Sequence, residues 1–185
     1  MPLIGVLYYF KITPRHFSDP FVKSKVIIVI LLTLLLPILL FFLLKSLGKI
    51  KSFNLPNTKE RILPLGLNAI IIFFVLKRVL PLYEFSELYF FFLGILISTI
   101  TCFILVLADF KASIHMIAIS GVLMFFIALS IHFNKNINLV IAILFLITGA
   151  IASSRLHMKA HTPIELTIGF CVGFFPQLVL LNYWL

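Results

Sequence analysis

The residues with most chemistry to offer crowd into one run, Ser154-Arg155-Leu156-His157-Met158-Lys159-Ala160-His161-Thr162-Pro163-Ile164-Glu165. Arg155, His157, Lys159, His161 and Glu165 can all carry charge, in a chain whose neighbouring segments are almost wholly apolar. Charge at membrane depth is costly, so such a cluster between apolar segments is a functional-site candidate by default. His161 and Glu165 stand one helical turn apart. A helix beginning near His161 therefore lets the carboxylate orient the imidazole and stabilise its cation. Arg155 lies upstream, across a turn, and its planar guanidinium suits a phosphate. A nucleophile, an orienting carboxylate and an anion clamp are thus available in one short stretch. A second stretch, Lys111-Ala112-Ser113-Ile114-His115-Met116, adds a hydroxyl that can donate to a phosphoryl oxygen and a histidine that can protonate a leaving oxygen.

The elements that must position these groups follow from composition. Of 185 residues, 62% are hydrophobic and 11% charged, and the mean hydropathy is +1.21. A soluble domain of this size cannot hide so much apolar surface, so the medium is a bilayer. The net charge of +9 would suggest nucleic acid in a soluble protein. Here anionic membrane lipids and a phosphorylated substrate are the expected partners, and nucleic acid is not. Cys102 and Cys171 sit in apolar runs without metal-ligand spacing, so neither a disulfide framework nor a metal is expected from them. The start of the chain lacks the basic opening of a secretory signal, and the first span is expected to be an uncleaved anchor.

Residues 1–22 read as an interfacial segment, too short in its apolar part to span, with Tyr8 and Tyr9 near the head groups, or else as a loosely ordered tail. Six spans are expected after it: Val26–Leu44, kinked at Pro37; Ile62–Leu76, ended by Lys77 and Arg78; Leu88–Ala108; Ser113–Ile131; Leu139–Ala152; and Ile164–Leu185. Gly169 and Gly173 are spaced for close helix contact. The expected fold is a single all-α, polytopic six-helix membrane bundle. With six spans, the loops after the first, third and fifth share one side. Lys59 and Arg61, then Lys111, Ser113 and His115, then Arg155 and His161 all fall on that face. Loop charge alone does not orient the bundle. The positive-inside rule puts the termini in the cytoplasm once the site cations are set aside.

At these residues the chain resembles the type 2 phosphatidic acid phosphatase (PAP2) superfamily of lipid phosphatases and vanadate haloperoxidases. That family's third motif is Ser-Arg, five residues, His, three residues, Asp. Ser154-Arg155, His161 and Glu165 reproduce it with the last carboxylate one methylene longer. Its second motif, Pro-Ser-Gly-His, keeps its serine and histidine in Ala112-Ser113-Ile114-His115. The first, Lys, six residues, Arg-Pro, is missing in that spacing; Lys59-Glu60-Arg61 with Pro64 is the best stand-in, and Lys111 is a rival cation. The chain is similar as well to small bacterial membrane proteins grouped with that superfamily, which carry Lys-x-Ser-x-His and Ala-His-Thr-Pro patterns.

The resemblance implies that His161 attacks phosphorus, Glu165 holds its tautomer, and Arg155 and Ser113 stabilise the equatorial oxygens. It implies that His115 protonates the departing alkoxide and then activates water. Lys111, Lys59 and Arg61 would supply further phosphate-binding charge. It further implies metal-independent hydrolysis without a cofactor, at the outer face of a bacterial cytoplasmic membrane. Phosphatidic acid, phosphatidylglycerol phosphate, a polyprenyl diphosphate and phosphorylated lipid A are the substrates it suggests. The altered second motif and absent first one leave an alternative, an inactive relative that binds anionic lipid or supports a complex. Histidines near helix ends also sit in membrane interfaces for no chemical reason. His157 and Lys159 are expected to contact lipid, His16 and His132 to do nothing in particular, Asp109 to pair with Lys111, and Tyr183 and Trp184 to anchor the interface.

Overall fold

The structure is a computed structural model and describes residues 1–49 and 58–185. Lys51, Asn54, Pro56 and Asn57, which the sequence puts in a polar loop after the first expected span, lie outside the described residues. Among the described residues every regular element is helical: α1 Pro2–Ile12, α2 Asp19–Ser46, α3 Thr58–Arg78, α4 Ser86–Leu107, α5 Ile114–His132, α6 Asn138–His157 and α7 Pro163–Leu180, which a 3₁₀ turn, Leu181–Tyr183, extends. Five of them, α2, α4, α5, α6 and α7, are long and apolar enough to cross a membrane. The remaining long helix, α3, has an apolar centre but carries Lys59, Glu60 and Arg61 in its first turn and Lys77 and Arg78 in its last.

Several boundaries move outward from the hydropathy reading, because polar end turns continue a helix after its apolar run stops. α2 starts at Asp19, well before Val26. Its expected irregularity at Pro37 is a π turn over Leu31–Leu35, closed by the Leu36 N–H on the Leu31 carbonyl. That arrangement accommodates a proline that offers no N–H of its own. α6 runs on to His157, so Arg155 stands on the helix's last turn rather than in a loop.

α5 is the axis of the bundle: 67% of its apolar window is buried, against 6% for α2. Helix association in lipid depends on close packing more than on hydrophobicity, and small residues permit it. Gly169 and Gly173 provide that on α7. A Cβ on Gly169 would come within 2.8 Å of the Ser113 carbonyl oxygen, and one on Gly173 would collide with the Ile117 carbonyl. The expectation for these two glycines holds, and α5 and α7 lie backbone against backbone. Within the apolar interior, the Ser98 hydroxyl donates to the Val172 carbonyl at 2.8 Å and the Gln177 amide to the Phe91 carbonyl at 2.9 Å, tying α4 to α7.

The short apolar start does not lie loose. α1 packs into the bundle, with Val6 and Tyr9 wholly buried, Tyr8 stacked on Phe126 and Gly5 against the Phe91 ring. The Tyr9 hydroxyl donates to Glu87 at 3.1 Å, so this tyrosine faces an interior carboxylate where a head-group contact was expected. Trp184, also expected at the interface, is buried and meets His132 edge to face. Tyr183 is exposed.

Candidate functional site

The site forms where the end of α6, the start of α7 and the start of α5 meet. α6 stops because its last carbonyls are satisfied by a reversal of the chain. Lys159 takes φ +51, and the Lys159 and Ala160 N–H groups return to the carbonyls of Leu156 and Arg155. Such a left-handed closing residue is the common way to end a helix, though glycine is its usual occupant. Only His161 and Thr162 then separate the reversal from α7. Thr162 caps α7 by accepting the Glu165 N–H at 3.3 Å, while Glu165 Oε2 accepts the Thr162 N–H at 3.0 Å. This reciprocal capping box fixes both residues.

The same carboxylate oxygen accepts a hydrogen bond from His161 Nδ1 at 2.9 Å. With its proton on Nδ1, the ring presents the Nε2 lone pair elsewhere. The His161 side chain is only 6% exposed. Burial is the main cause that holds its pKa below the usual 6.5. The hydrogen bond to Glu165 and its charge push the other way, and the charges of Arg61 and Lys111 add to the lowering. His161 is therefore neutral at pH 7, as a nitrogen nucleophile must be.

From the last turn of α6, Arg155 donates to His115 Nε2 at 2.9 Å. A guanidinium has no acceptor, so this contact requires His115 to hold its proton on Nδ1. His115 is within electrostatic range of Arg155, His161 and Arg61. Ser113 is the N-cap of α5, and its N–H donates to the Glu165 carbonyl at 3.2 Å, which seats the α5 start on the first turn of α7. Its hydroxyl is the one side-chain polar atom among the described residues that is buried without a hydrogen-bond partner. An unmatched buried hydroxyl costs roughly 1–3 kcal/mol. The opening N–H groups of α5, beside it, are a ready anion site.

The remaining cations divide. Arg61, 5% exposed, donates to the Ala112 carbonyl at 3.3 Å, next to Ser113. Lys59 stands two residues earlier, about 200° around the helix, and is exposed. The structure thus brings Arg61 to the site and leaves Lys59 at its edge. Lys111 Nζ donates to the Ala160 carbonyl at 3.3 Å, bridging to the turn before His161. Asp109, expected to pair with Lys111, accepts instead from the Thr58 hydroxyl. His157 and Lys159 are exposed, outside this arrangement.

Two features escaped the sequence reading. Thr162 was legible, since Thr-x-x-Glu before an apolar run is a capping-box signature. The second is a network at the opposite end of the bundle around Glu87, which is 0% exposed. Its carboxylate accepts from Tyr9 and Ser86, pairs with Arg15 at 2.9 Å, and lies 3.3 Å from His132 Nε2. His132, expected to be without a role, is part of it. Compared with known proteins, the chain matches no family model, no curated protein and no solved structure.

Proposed function

We propose that the protein is an integral membrane phosphatase of PAP2 type that releases phosphate from a lipid phosphomonoester or diphosphate through a phosphohistidine. The observation that carries this reading is the 2.9 Å hydrogen bond from His161 Nδ1 to Glu165, which leaves Nε2 as a lone-pair nucleophile. Arg61 and Lys111 are within electrostatic range of His161, Arg155 is held on His115, and the unmatched Ser113 hydroxyl belongs to the residue seated on the Glu165 carbonyl; an anionic reactant requires such groups. Phosphoryl transfer depends mostly on positioning and on charge stabilisation, which these groups supply.

In the proposed cycle, His161 Nε2 forms a bond to phosphorus as the bond to the lipid oxygen breaks. Arg155 turns from His115 to the equatorial oxygens, joined by the Ser113 hydroxyl. Freed from the guanidinium, His115 takes up a proton and delivers it to the departing oxygen. It then accepts a proton from water as that water's oxygen attacks phosphorus and the phosphorus–nitrogen bond breaks, and it releases that proton to solvent, matching the one it took from solvent at the start. The products are a lipid alcohol and inorganic phosphate, with both histidines restored. For a diphosphate the leaving group is a lipid monophosphate.

The same proposal takes α3 as a sixth span. Its 21 residues reach about 31 Å at 1.5 Å each, and its charges sit at the two ends. The site end would face the exterior of a cytoplasmic membrane. Lys59→Cys in a chain lacking Cys102 and Cys171 tests the orientation: labelling by an impermeant reagent on intact cells is expected, and labelling only after lysis rejects it.

The mechanism is tested by phosphate release from a panel of lipid phosphates in detergent without added metal. Wild type is expected to turn over and to be blocked by vanadate, and His161→Ala to be inactive. Equal rates in both would reject His161 as nucleophile. Lipid phosphate retained by a wild type that never turns over would favour the inactive, lipid-binding alternative.

A further inference from the structure

Two cavities lead away from the site end. The outer one, about 310 Å³, is a groove between α2 and α3, walled by Pro37, Leu40, Phe41, Leu44 and Ile71 and headed by Arg61. The inner one, about 170 Å³, lies deeper in the bundle among Ile72, Phe91, Ile95 and Val122, with Met1 and Pro2 of α1 at its edge. The two share just two lining residues, Asn68 and Ile114. Ile114 is flanked in the chain by Ser113 and His115. It is 37% exposed, so its side chain stands in open space rather than in packed core. Ile114 and Asn68 thus border both cavities.

We infer that Ile114 is a specificity-determining partition: the apolar chain of a lipid phosphate lies in the outer groove, and Ile114 stops it from running on into the inner cavity. This rests on the reading of the site as a phosphate site. The groove's chemistry identifies its occupant. Among the described residues Arg61 is the only charged one lining it, at the end where Ser113 begins, and the rest is almost all hydrocarbon. A ligand that complements it is anionic at one tip and apolar along its length. α2, the wall on the lipid side, is barely buried, so a chain already in the bilayer can enter sideways without crossing water. The inner cavity would take an apolar chain too: Ile72, Phe91, Ile95 and Val122 line it, Ser98 and Thr99 on its wall donate their hydroxyls to backbone carbonyls, and Gln177 donates one amide N–H to the Phe91 carbonyl. The inner space is the more polar of the two, and Ile114 is the apolar side chain that borders both.

The test uses the full chain and a series of uncleavable ligands, octyl-, dodecyl- and hexadecylphosphonate, with binding followed by calorimetry. Each methylene buried is expected to tighten binding about fourfold until the groove is full, after which longer chains bring no gain. Ile114→Ala is expected to move that plateau to longer chains. Leu40→Trp, on the loosely packed α2, fills the groove and is expected to move it to shorter ones, so the proposal does not depend on one variant folding. Identical chain-length profiles in wild type and both variants would overturn it, as would binding indifferent to chain length. Phosphate release from the matching alkyl phosphates is measured in parallel. Shifted binding profiles without release support the partition and reject the hydrolase. Release with unshifted profiles rejects the partition alone, and a wild type that binds no phosphonate rejects both.

Discussion

At the scale of single residues, the informative pair is His161 with Glu165. One carboxylate oxygen accepts both the His161 Nδ1 proton and the Thr162 N–H. The longer reach of glutamate serves this double duty, because it must return to the start of its own helix while meeting the ring. The pair also sets a pH dependence. His161 must be neutral to attack, and burial places its pKa below 6.5 while Glu165 opposes that shift. Activity is therefore expected to fall on the acid side of its plateau as His161 takes up a proton. Replacing Glu165 with Gln removes the opposing influence, so the acid limb should move to still lower pH. The rate on the plateau should drop by about 10²-fold, as the imidazolium loses its counter-charge. A pH profile of kcat/KM for wild type and Glu165→Gln reads both effects. An acid limb that stayed in place, or moved upward, would mean that Glu165 does not act on the ring through its charge.

At the scale of helices, the site exists because α5 and α7 touch along their backbones. Ser113, on α5, can donate its N–H to Glu165, on α7, only at that separation. Gly173→Ala places a methyl group against the Ile117 carbonyl and is expected to push the helices apart. Overpacking of this kind costs about 1–3 kcal/mol. Phosphate release should fall much more than stability does, because Ser113 and Arg61 are aligned through that contact. A variant with unchanged turnover would show that the site tolerates separation of α5 from α7. Much of this was readable beforehand. Gly169 and Gly173 declared their contact by spacing, and of the six apolar runs read as spans, five are helices long and apolar enough to cross a membrane. What hydropathy missed was polar: the ends of α2 and α6, where charged turns continue a helix, and the division between Lys59 and Arg61, which depends on the rotation of α3. Glu87 was unreadable for a related reason. A carboxylate beside a short connection looks solvated until Tyr9, Arg15 and His132, from three other parts of the chain, are seen to close over it.

Taken whole, the molecule has two polar ends with opposite designs. At the site end a hydroxyl is left unmatched, and Arg61 and Lys111 act on the charge of a buried histidine. At the other end the Glu87 carboxylate is met by Tyr9, Ser86, Arg15 and His132, and the Tyr9 phenol, pushed up to about 12 mainly by burial and then by Glu87, stays a donor at any physiological pH. Such closure suits fastening rather than chemistry, since it binds α1 and the turn after it to α4 and α5. Removing one member of a buried ionic network strands the others, at a cost of about 3–5 kcal/mol. Glu87→Leu should therefore lower the melting temperature in detergent by roughly 10 °C. The two ends are separated by the length of α5, 19 residues, or about 28 Å. Phosphate release measured well below the new melting point should accordingly stay within about twofold of wild type, a difference of under 0.5 kcal/mol. If turnover collapsed while the fold held, the Glu87 network would be transmitting something to the site through α5, and the division into a fastened end and a reacting end would be wrong.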